Sequence, residues 1–196
     1  YGNKGSVDAE VKNDSKVKAV LTGSEARLFN FAGKIKLDGC KIAVTADETS
    51  LSNKVFKSDK SITVKKGAKI DIQVPGAGSE AFSCANAFEM QGGTVEVVSA
   101  DDCVGAETNV VITGGKFYGF STGNDVFDTN AGDITVSGGL VLAYTTAQEP
   151  TDKTGKTVGS FGFDVNGNAV NLNGGPDSIV GKWLDDLSRV MLKFVN

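Results

Sequence analysis

The sequence predicts an all-β protein folded as a parallel β-helix, in which short strands wind into stacked coils. Three observations lead to this prediction. Short runs of alternating apolar and polar residues, rich in Val, Ile and Thr, recur along the chain. Glycine is abundant, with 25 residues, whereas proline is scarce, with 3, which is typical of many strands joined by tight turns. An apolar residue and a glycine also recur together at a nearly fixed offset.

The repeat has two markers, an apolar residue and a glycine that follows it by 10 or 11 residues. The apolar markers are Phe29, Phe56, Phe82, Val104, Phe127 and Phe163. The glycine markers are Gly39, Gly67, Gly92, Gly114, Gly138 and Gly174. Strand-like runs lie between the markers (KIKLD, SITVK) and after the glycine (KIAVTA, AKIDIQV), and a third short strand carries the apolar marker. Three short strands per unit of 22 to 28 residues predict about six coils.

Stacking of such coils would place Phe on Phe in one continuous narrow core, because a single coil cannot bury its inward side chains. The glycine markers are expected to supply the unusual backbone angles of a sharp corner. An antiparallel sandwich, the alternative fold, would not require a fixed offset between the two markers. The three cysteines, which have no CxxC spacing, are predicted to be buried free thiols, with a Cys84–Cys103 disulfide as the alternative.

A single domain is predicted over residues 1–196, with N-terminal strands or a cap at 1–22, coils at 23–180 and a C-terminal cap at 181–196. The polar segment around 145–160 is expected to form a loop extruded from one corner. Apolar residues of the tail fall on one helical face, which favours a short capping helix over a final strand. The start at Tyr1 would suit a mature chain whose targeting segment has been removed.

Charge is unevenly distributed along the chain. Residues 1–69 carry 14 basic and 8 acidic side chains, whereas residues 70–152 carry 12 acidic side chains and only Lys116 as a base. Such an acidic middle is expected to attract cations and to repel nucleic acid and anionic lipid. The absence of histidine removes the usual general base and the commonest transition-metal ligand. No apolar run is long enough to span a bilayer.

Acidic residues recur at fixed positions around the apolar markers. Glu80, Asp102 and Asp125 stand two residues before successive markers and are called the acidic column here. Asp128 and Asp164 stand one residue after their markers, and Asp101 and Asn124 flank the column. Stacked carboxylates about 4.8 Å apart repel by roughly 3 kcal/mol at an effective dielectric constant of 20. Raised pKa values or outward splaying would relieve this repulsion, but calcium (Ca²⁺), a hard cation with oxygen ligands, does so more directly. A solvated acidic face without metal is the alternative.

The segment DDCVGAETNVVITGGKFYGFSTGNDVFDTNAGDITVSGGLVLAYTT resembles the repeat of a bacterial family of secreted or surface carbohydrate-binding proteins. The resemblance is clearest over residues 78–147, and GNDVFDTNAGDITVSGG is its most specific part. It implies a right-handed parallel β-helix, related in shape to pectate lyases, that binds calcium at the coil corners. It implies Asp101, Asp102, Asn124, Asp125 and Asp128 as metal ligands, with the metal between the coils of Asp102 and Asp125.

Three functions are compatible with these features. The first is a non-catalytic, extracellular or cell-surface protein that binds polysaccharide, with no nucleic acid partner. An acidic polysaccharide similar to polygalacturonate is one candidate ligand. The second is a structural or adhesive surface protein stiffened by calcium. The third is a polysaccharide lyase, which is disfavoured because only Arg27 and Arg189 are available as an arginine base and both are far from the acidic coils.

Overall fold

The computed structural model describes residues 7–145 and, for the backbone, residues 161–163. Every regular element in these residues is a β-strand, and the strands form three sheets. Sheet A contains β1 Ala9–Lys12, β4 Ile35–Asp38, β7 Ile62–Val64, β10 Phe88–Met90, β13 Val110–Ile112 and β16 Ile134–Val136. Sheet B contains β2 Lys16–Leu21, β5 Lys41–Ala46, β8 Lys69–Val74, β11 Thr94–Ser99, β14 Lys116–Ser121, β17 Leu140–Thr145 and β18 Phe161–Phe163. Sheet C contains β3 Phe29–Phe31, β6 Lys54–Ser58, β9 Glu80–Cys84, β12 Val104–Ala106 and β15 Phe127–Thr129.

The strands build a parallel β-solenoid, which confirms the predicted fold class. Each coil contributes one strand to each sheet, and every pair from β1 to β17 is parallel, as in β11 with β8 and β14. The described residues form five complete coils, from β1–β3 to β13–β15, followed by the two strands β16 and β17. Residues predicted as an N-terminal cap therefore supply the first two strands of the first coil.

The sixth predicted unit does not continue this stack in the described residues. Its marker Phe163 lies in β18, which pairs antiparallel with β17 at the end of sheet B, whereas the other apolar markers lie in sheet C. A strand that reverses direction leaves the coil path, so the described residues support about five turns rather than six. The remainder of that unit, most of the 145–160 loop and the predicted capping helix at 181–196 lie outside the described residues.

The core is a narrow apolar column enclosed by the three sheets. Phe29, Phe56 and Phe82 stack on successive coils, with ring centroids 5.1 Å apart in both steps and nearly parallel planes. This separation is close to the spacing of neighbouring strands, as expected when identical side chains occupy equivalent positions. The thiols of Cys40, Cys84 and Cys103 are all free and buried, which confirms the prediction and excludes the alternative disulfide.

Glycines form the corner between sheets A and B. In the later coils the residue with positive φ is not the marker glycine but the glycine that follows it. In the three later coils the second glycine of each pair has positive φ: Gly93 (84°), Gly115 (95°) and Gly139 (92°). The preceding marker glycine instead allows close approach between coils. A Cβ on Gly92 would lie 3.0 Å from the Cα of Lys66. In the earlier coils the marker glycines Gly39 (63°) and Gly67 (86°) have positive φ themselves, as predicted. The markers therefore identified the corner throughout and the turning residue in those two coils.

We expect Gly93→Ala to destabilise the protein by clearly more than Gly23→Ala, although both glycines have φ of +84°. Both substitutions impose a left-handed conformation on alanine, which costs about 1–2 kcal/mol. Only at Gly93 would the new Cβ meet backbone, 2.7 Å from the carbonyl oxygen of Ala68, whereas nothing lies within 4 Å at Gly23. Urea unfolding of both variants measures the difference. Equal losses of stability would contradict the close packing of coils at this corner.

Candidate functional site

The structure brings the acidic column together as the sequence predicts. Val104 pairs with Phe82 on one side and with Phe127 on the other. Each residue of the acidic column stands two positions before one of these three paired residues. The column therefore runs across neighbouring coils in the order Glu80, Asp102, Asp125. They lie where the chain turns from sheet B into sheet C. Asp102 and Asp125 are buried, with relative exposures of 6% and 4%.

Three of the predicted ligands, Glu80, Asp101 and Asn124, have polar partners within the protein. Glu80 forms an ion pair with Lys54, which lies directly opposite on the preceding coil. The carboxylate of Asp101 accepts a hydrogen bond of 2.8 Å from the side-chain amide of Asn124. The carbonyl oxygen of Asp101 also accepts hydrogen bonds from the hydroxyl groups of two serines, Ser99 and Ser121. Asp101 and Asn124 therefore join neighbouring coils at the corner.

Asp102 has a strongly perturbed carboxyl group. Its Oδ1 accepts a hydrogen bond of 3.2 Å from the backbone N–H of Asp125. The pKa of Asp102 is raised to about 8. Burial is the main cause, and the negative charges of Asp101, Asp128 and Glu80 add to it. At neutral pH this carboxyl group is therefore mostly protonated in the absence of a cation. The raised pKa of Asp102 relieves repulsion in the acidic column, because the protonated group carries no charge.

Asp128 lies on the outer face of sheet C, opposite Gly105 and two coils from Ser83. There it lines a small polar groove of about 220 Å³. The groove also includes Lys54, Lys57, Glu80, Asp102, Glu107 and Asn130. It thus combines both signs of charge. Asp164, the remaining predicted ligand, lies outside the described residues.

The acidic column does not form a calcium cage in the described arrangement. Within residues 7–145, no group of three or more Asp, Glu or Cys side chains is arranged to hold a metal ion. Calcium requires six to eight oxygen ligands, whereas Glu80 is paired with Lys54 and Asp101 with Asn124. Calcium therefore stays a prediction from the sequence.

A second candidate site lies on the outer face of sheet B, where lysines stack across three coils. Lys16 pairs with Lys41 in the strand register, and Lys41 pairs with Lys69. These three residues are called the lysine row, and all of them are exposed. Because neighbouring strands are about 4.8 Å apart, the row presents one positive charge per coil along the helix axis. In the same register, Thr94 occupies the next coil and Lys116 the one after it.

The lysine row differs from the way in which this protein arranges charge on its other two sheets. On sheet A, Glu10 lies opposite Lys36 and forms an ion pair with it. On sheet C, Lys54 is likewise paired with Glu80. None of the ion pairs between described residues involves the lysine row. Like charges directly opposite each other destabilise a sheet. The lysine row therefore lowers the stability of sheet B, and a bound anionic ligand would offset this loss.

The lysine row borders a groove of about 600 Å³ that also contains two carboxylates. Asp71 and Glu96 pair with each other in the register, two residues along the strands from Lys69 and Thr94. Partial burial raises the pKa of both carboxyl groups, and Asp71 raises the pKa of Glu96 further by repulsion. The groove therefore places a line of cations beside a pair of hydrogen-bond acceptors. Its described lining contains four lysines and two acidic residues.

Sequence reasoning did not predict the lysine row, although a signal was present. Lys41 and Lys69 each stand two residues after a corner glycine, and Lys116 follows Gly115 directly. Aligning the coils on the marker glycine would have revealed this column from Lys41 onward, because Lys41, Lys69 and Lys116 each stand two residues after that glycine. Two partly exposed aromatic residues lie further along the same sheet, where the rings of Phe120 and Tyr144 stack with centroids 5.6 Å apart.

In comparisons with family models, curated proteins and solved structures, nothing matches this chain. The resemblance to secreted carbohydrate-binding proteins therefore stays a prediction. In the described part of the chain, no helix has the length and hydropathy of a membrane span.

Proposed function

We propose that this protein binds an acidic polysaccharide, without catalysis, in the groove on the outer face of sheet B. The observation that carries the proposal is the lysine row, in which Lys16, Lys41 and Lys69 lie opposite one another with no ion-pair partner among the described residues. An anionic polymer along this row would replace repulsion between lysines by attraction to the ligand. A location outside the cell, as the sequence predicts, is where such a polymer would be met.

The carboxylates beside the row favour a polysaccharide over a nucleic acid. Asp71 and Glu96 line the same groove and would repel the phosphates of a nucleic acid backbone. Sugar hydroxyl groups, in contrast, donate hydrogen bonds to carboxylates. A ligand that carries both anionic groups and hydroxyl groups can therefore satisfy both parts of the groove. The overall charge of −4 also disfavours non-specific binding of polyanions.

This proposal differs from the sequence-based hypothesis in how the polysaccharide is held. That hypothesis places calcium at the acidic column, whereas the lysine row on sheet B attracts an acidic sugar directly, without a metal. A structural or adhesive role remains the second candidate function. It is supported by the continuous stack of aromatic rings, which makes the solenoid a stiff spacer whether or not a ligand is present.

Replacing Lys16, Lys41 and Lys69 together by Ala is expected to weaken binding to polygalacturonate by about three- to hundredfold at low ionic strength. Each exposed ion pair contributes about 0.2–1 kcal/mol, and about 1.4 kcal/mol corresponds to a tenfold change in affinity. Isothermal titration calorimetry in the presence of a chelator measures this binding without calcium. Added salt is expected to weaken binding of the unmodified protein, because it screens exposed charges.

The matched control replaces Lys34, Lys60 and Lys66 by Ala, three exposed lysines that lie off this face. This variant has the same net charge as the first and is expected to bind like the unmodified protein. Equal weakening in both variants would show a non-specific charge effect and contradict the proposed groove. Growth of ultraviolet absorbance from unsaturated sugar products would overturn the non-catalytic part of the proposal.

A further inference from the structure

We infer that the groove selects polysaccharides that carry a carboxylate on every sugar, and that the polymer lies along the helix axis with successive sugars on successive coils. This inference rests on the proposed function and adds the spacing and orientation of the ligand. Its basis is the register of the lysine row together with the neighbouring positions of Asp71 and Glu96.

The spacing of the row is set by the backbone rather than by flexible side chains. Lys16, Lys41 and Lys69 are direct register partners, so their Cα atoms repeat at the strand spacing of about 4.8 Å. A hexose in an extended polymer advances by a similar length. A polymer with one carboxylate per sugar therefore matches the row at each coil. A polymer with a carboxylate on every second sugar would leave Lys41 opposite a neutral sugar.

The cationic and acidic side chains of the groove also suit the two edges of a hexuronate ring. Such a ring carries its carboxylate on one edge and hydroxyl groups on the opposite edge. Asp71 lies two residues after Lys69 on β8, which places both side chains on the same face of the sheet, about 6.6 Å apart along the strand. At the coil of Lys69 the lysine can therefore bind the carboxylate edge while Asp71 accepts hydrogen bonds from the hydroxyl edge, and Glu96 offers the same acceptor on the next coil. Beside Lys16 and Lys41 the equivalent positions hold Lys18 and Ala43.

Thr94 is the position where the row is interrupted. It lies between Lys69 and Lys116 in the register and is partly exposed. Thr94→Lys would join these residues into a continuous row of five lysines, from Lys16 to Lys116. Thr63→Lys adds the same charge on the outer face of sheet A, between Lys36 and Glu89 in the register. The two variants differ only in where the charge lies.

The first test measures binding of a hexagalacturonate by calorimetry in the presence of a chelator. Thr94→Lys is expected to tighten binding at least threefold, whereas Thr63→Lys leaves it unchanged. Because this variant gains affinity, misfolding cannot produce the expected result. Equal effects of both variants, or no effect of Thr94→Lys, would overturn the inferred orientation along the row.

The second test compares two probes with four carboxylates each, a tetragalacturonate and a hyaluronan octasaccharide. The first carries a carboxylate on every sugar and the second on every other sugar. We expect the first to bind at least fivefold more tightly, and Lys41→Ala to remove most of this preference. Equal binding of both probes would overturn the spacing inference while the proposed function stands. Binding of neither, or tighter binding of single-stranded DNA, would overturn both.

Discussion

Replacing Asp102 by Asn is expected to stabilise the protein above about pH 8 and to leave its stability near pH 4 almost unchanged. The carboxyl group is 6% exposed, and its pKa in the folded protein is about 8, compared with an ordinary value of 3.8. Asn has nearly the same shape as the protonated acid and carries no charge to bury. Its side-chain oxygen can still accept the hydrogen bond from the backbone N–H of Asp125.

The sign of this effect follows from proton binding. The folded protein holds the Asp102 proton more tightly than the unfolded chain, so its contribution to stability is fully present below pH 3.8 and is lost as the pH rises to about 8. One pKa unit corresponds to about 1.4 kcal/mol, so the loss has an upper bound of roughly 6 kcal/mol. Melting temperatures of both proteins between these pH values, measured with a chelator, test the prediction.

Asp59→Asn is the matched control, because Asp59 is an exposed carboxylate whose removal changes the net charge equally. It is expected to have little effect on the pH dependence. Repeating the melts in calcium tests the sequence-based metal prediction at the same site. Calcium bound at the acidic column would stabilise the unmodified protein most at high pH, and Asp102→Asn would lose this gain. Identical melts with calcium and with chelator would contradict the calcium prediction.

Replacing Phe82 by Ala is expected to cost about 3–5 kcal/mol of stability, because it leaves a cavity in the middle of the core. Phe82 has no exposed surface, and its ring lies 5.1 Å from the rings of both Phe56 and Phe88. Neighbouring coils cannot collapse into such a cavity without breaking the strand register on both sides. The midpoint of urea unfolding measures the loss.

Phe29→Ala removes the same side chain from the first coil, where the ring is only partly buried. We expect a smaller cost, about 1–2 kcal/mol, because less apolar surface is buried there. Equal costs at Phe29 and Phe82 would contradict a core that becomes more completely packed toward the middle coils. A broad transition in Phe82→Ala would indicate that coils on either side unfold separately, as in other repeat proteins.

Local spacing was sufficient to predict most of the fold. The fixed offset between Phe82 and Gly92, repeated in neighbouring units, identified the strands, the corner and the stacked core. The same marker was misleading at Phe163, because an apolar residue followed by a glycine does not reveal strand direction. The sequence before β18 has no periodic signal, so its antiparallel pairing with β17 could not be predicted from it.

The sequence by itself determined which acidic residues form one column, because Glu80, Asp102 and Asp125 keep a constant distance from their markers. Only the tertiary structure decided their state, since the pKa of Asp102 depends on burial between coils and on charges contributed by three other residues. The same holds for the lysine row. Lys41 and Lys69 share a position relative to their marker glycines, but Lys16 follows no such glycine, and only the pairing of β2 with β5 places it in the row. Corners absorb the extra residues, so spatial alignment is a property of the stacked backbone.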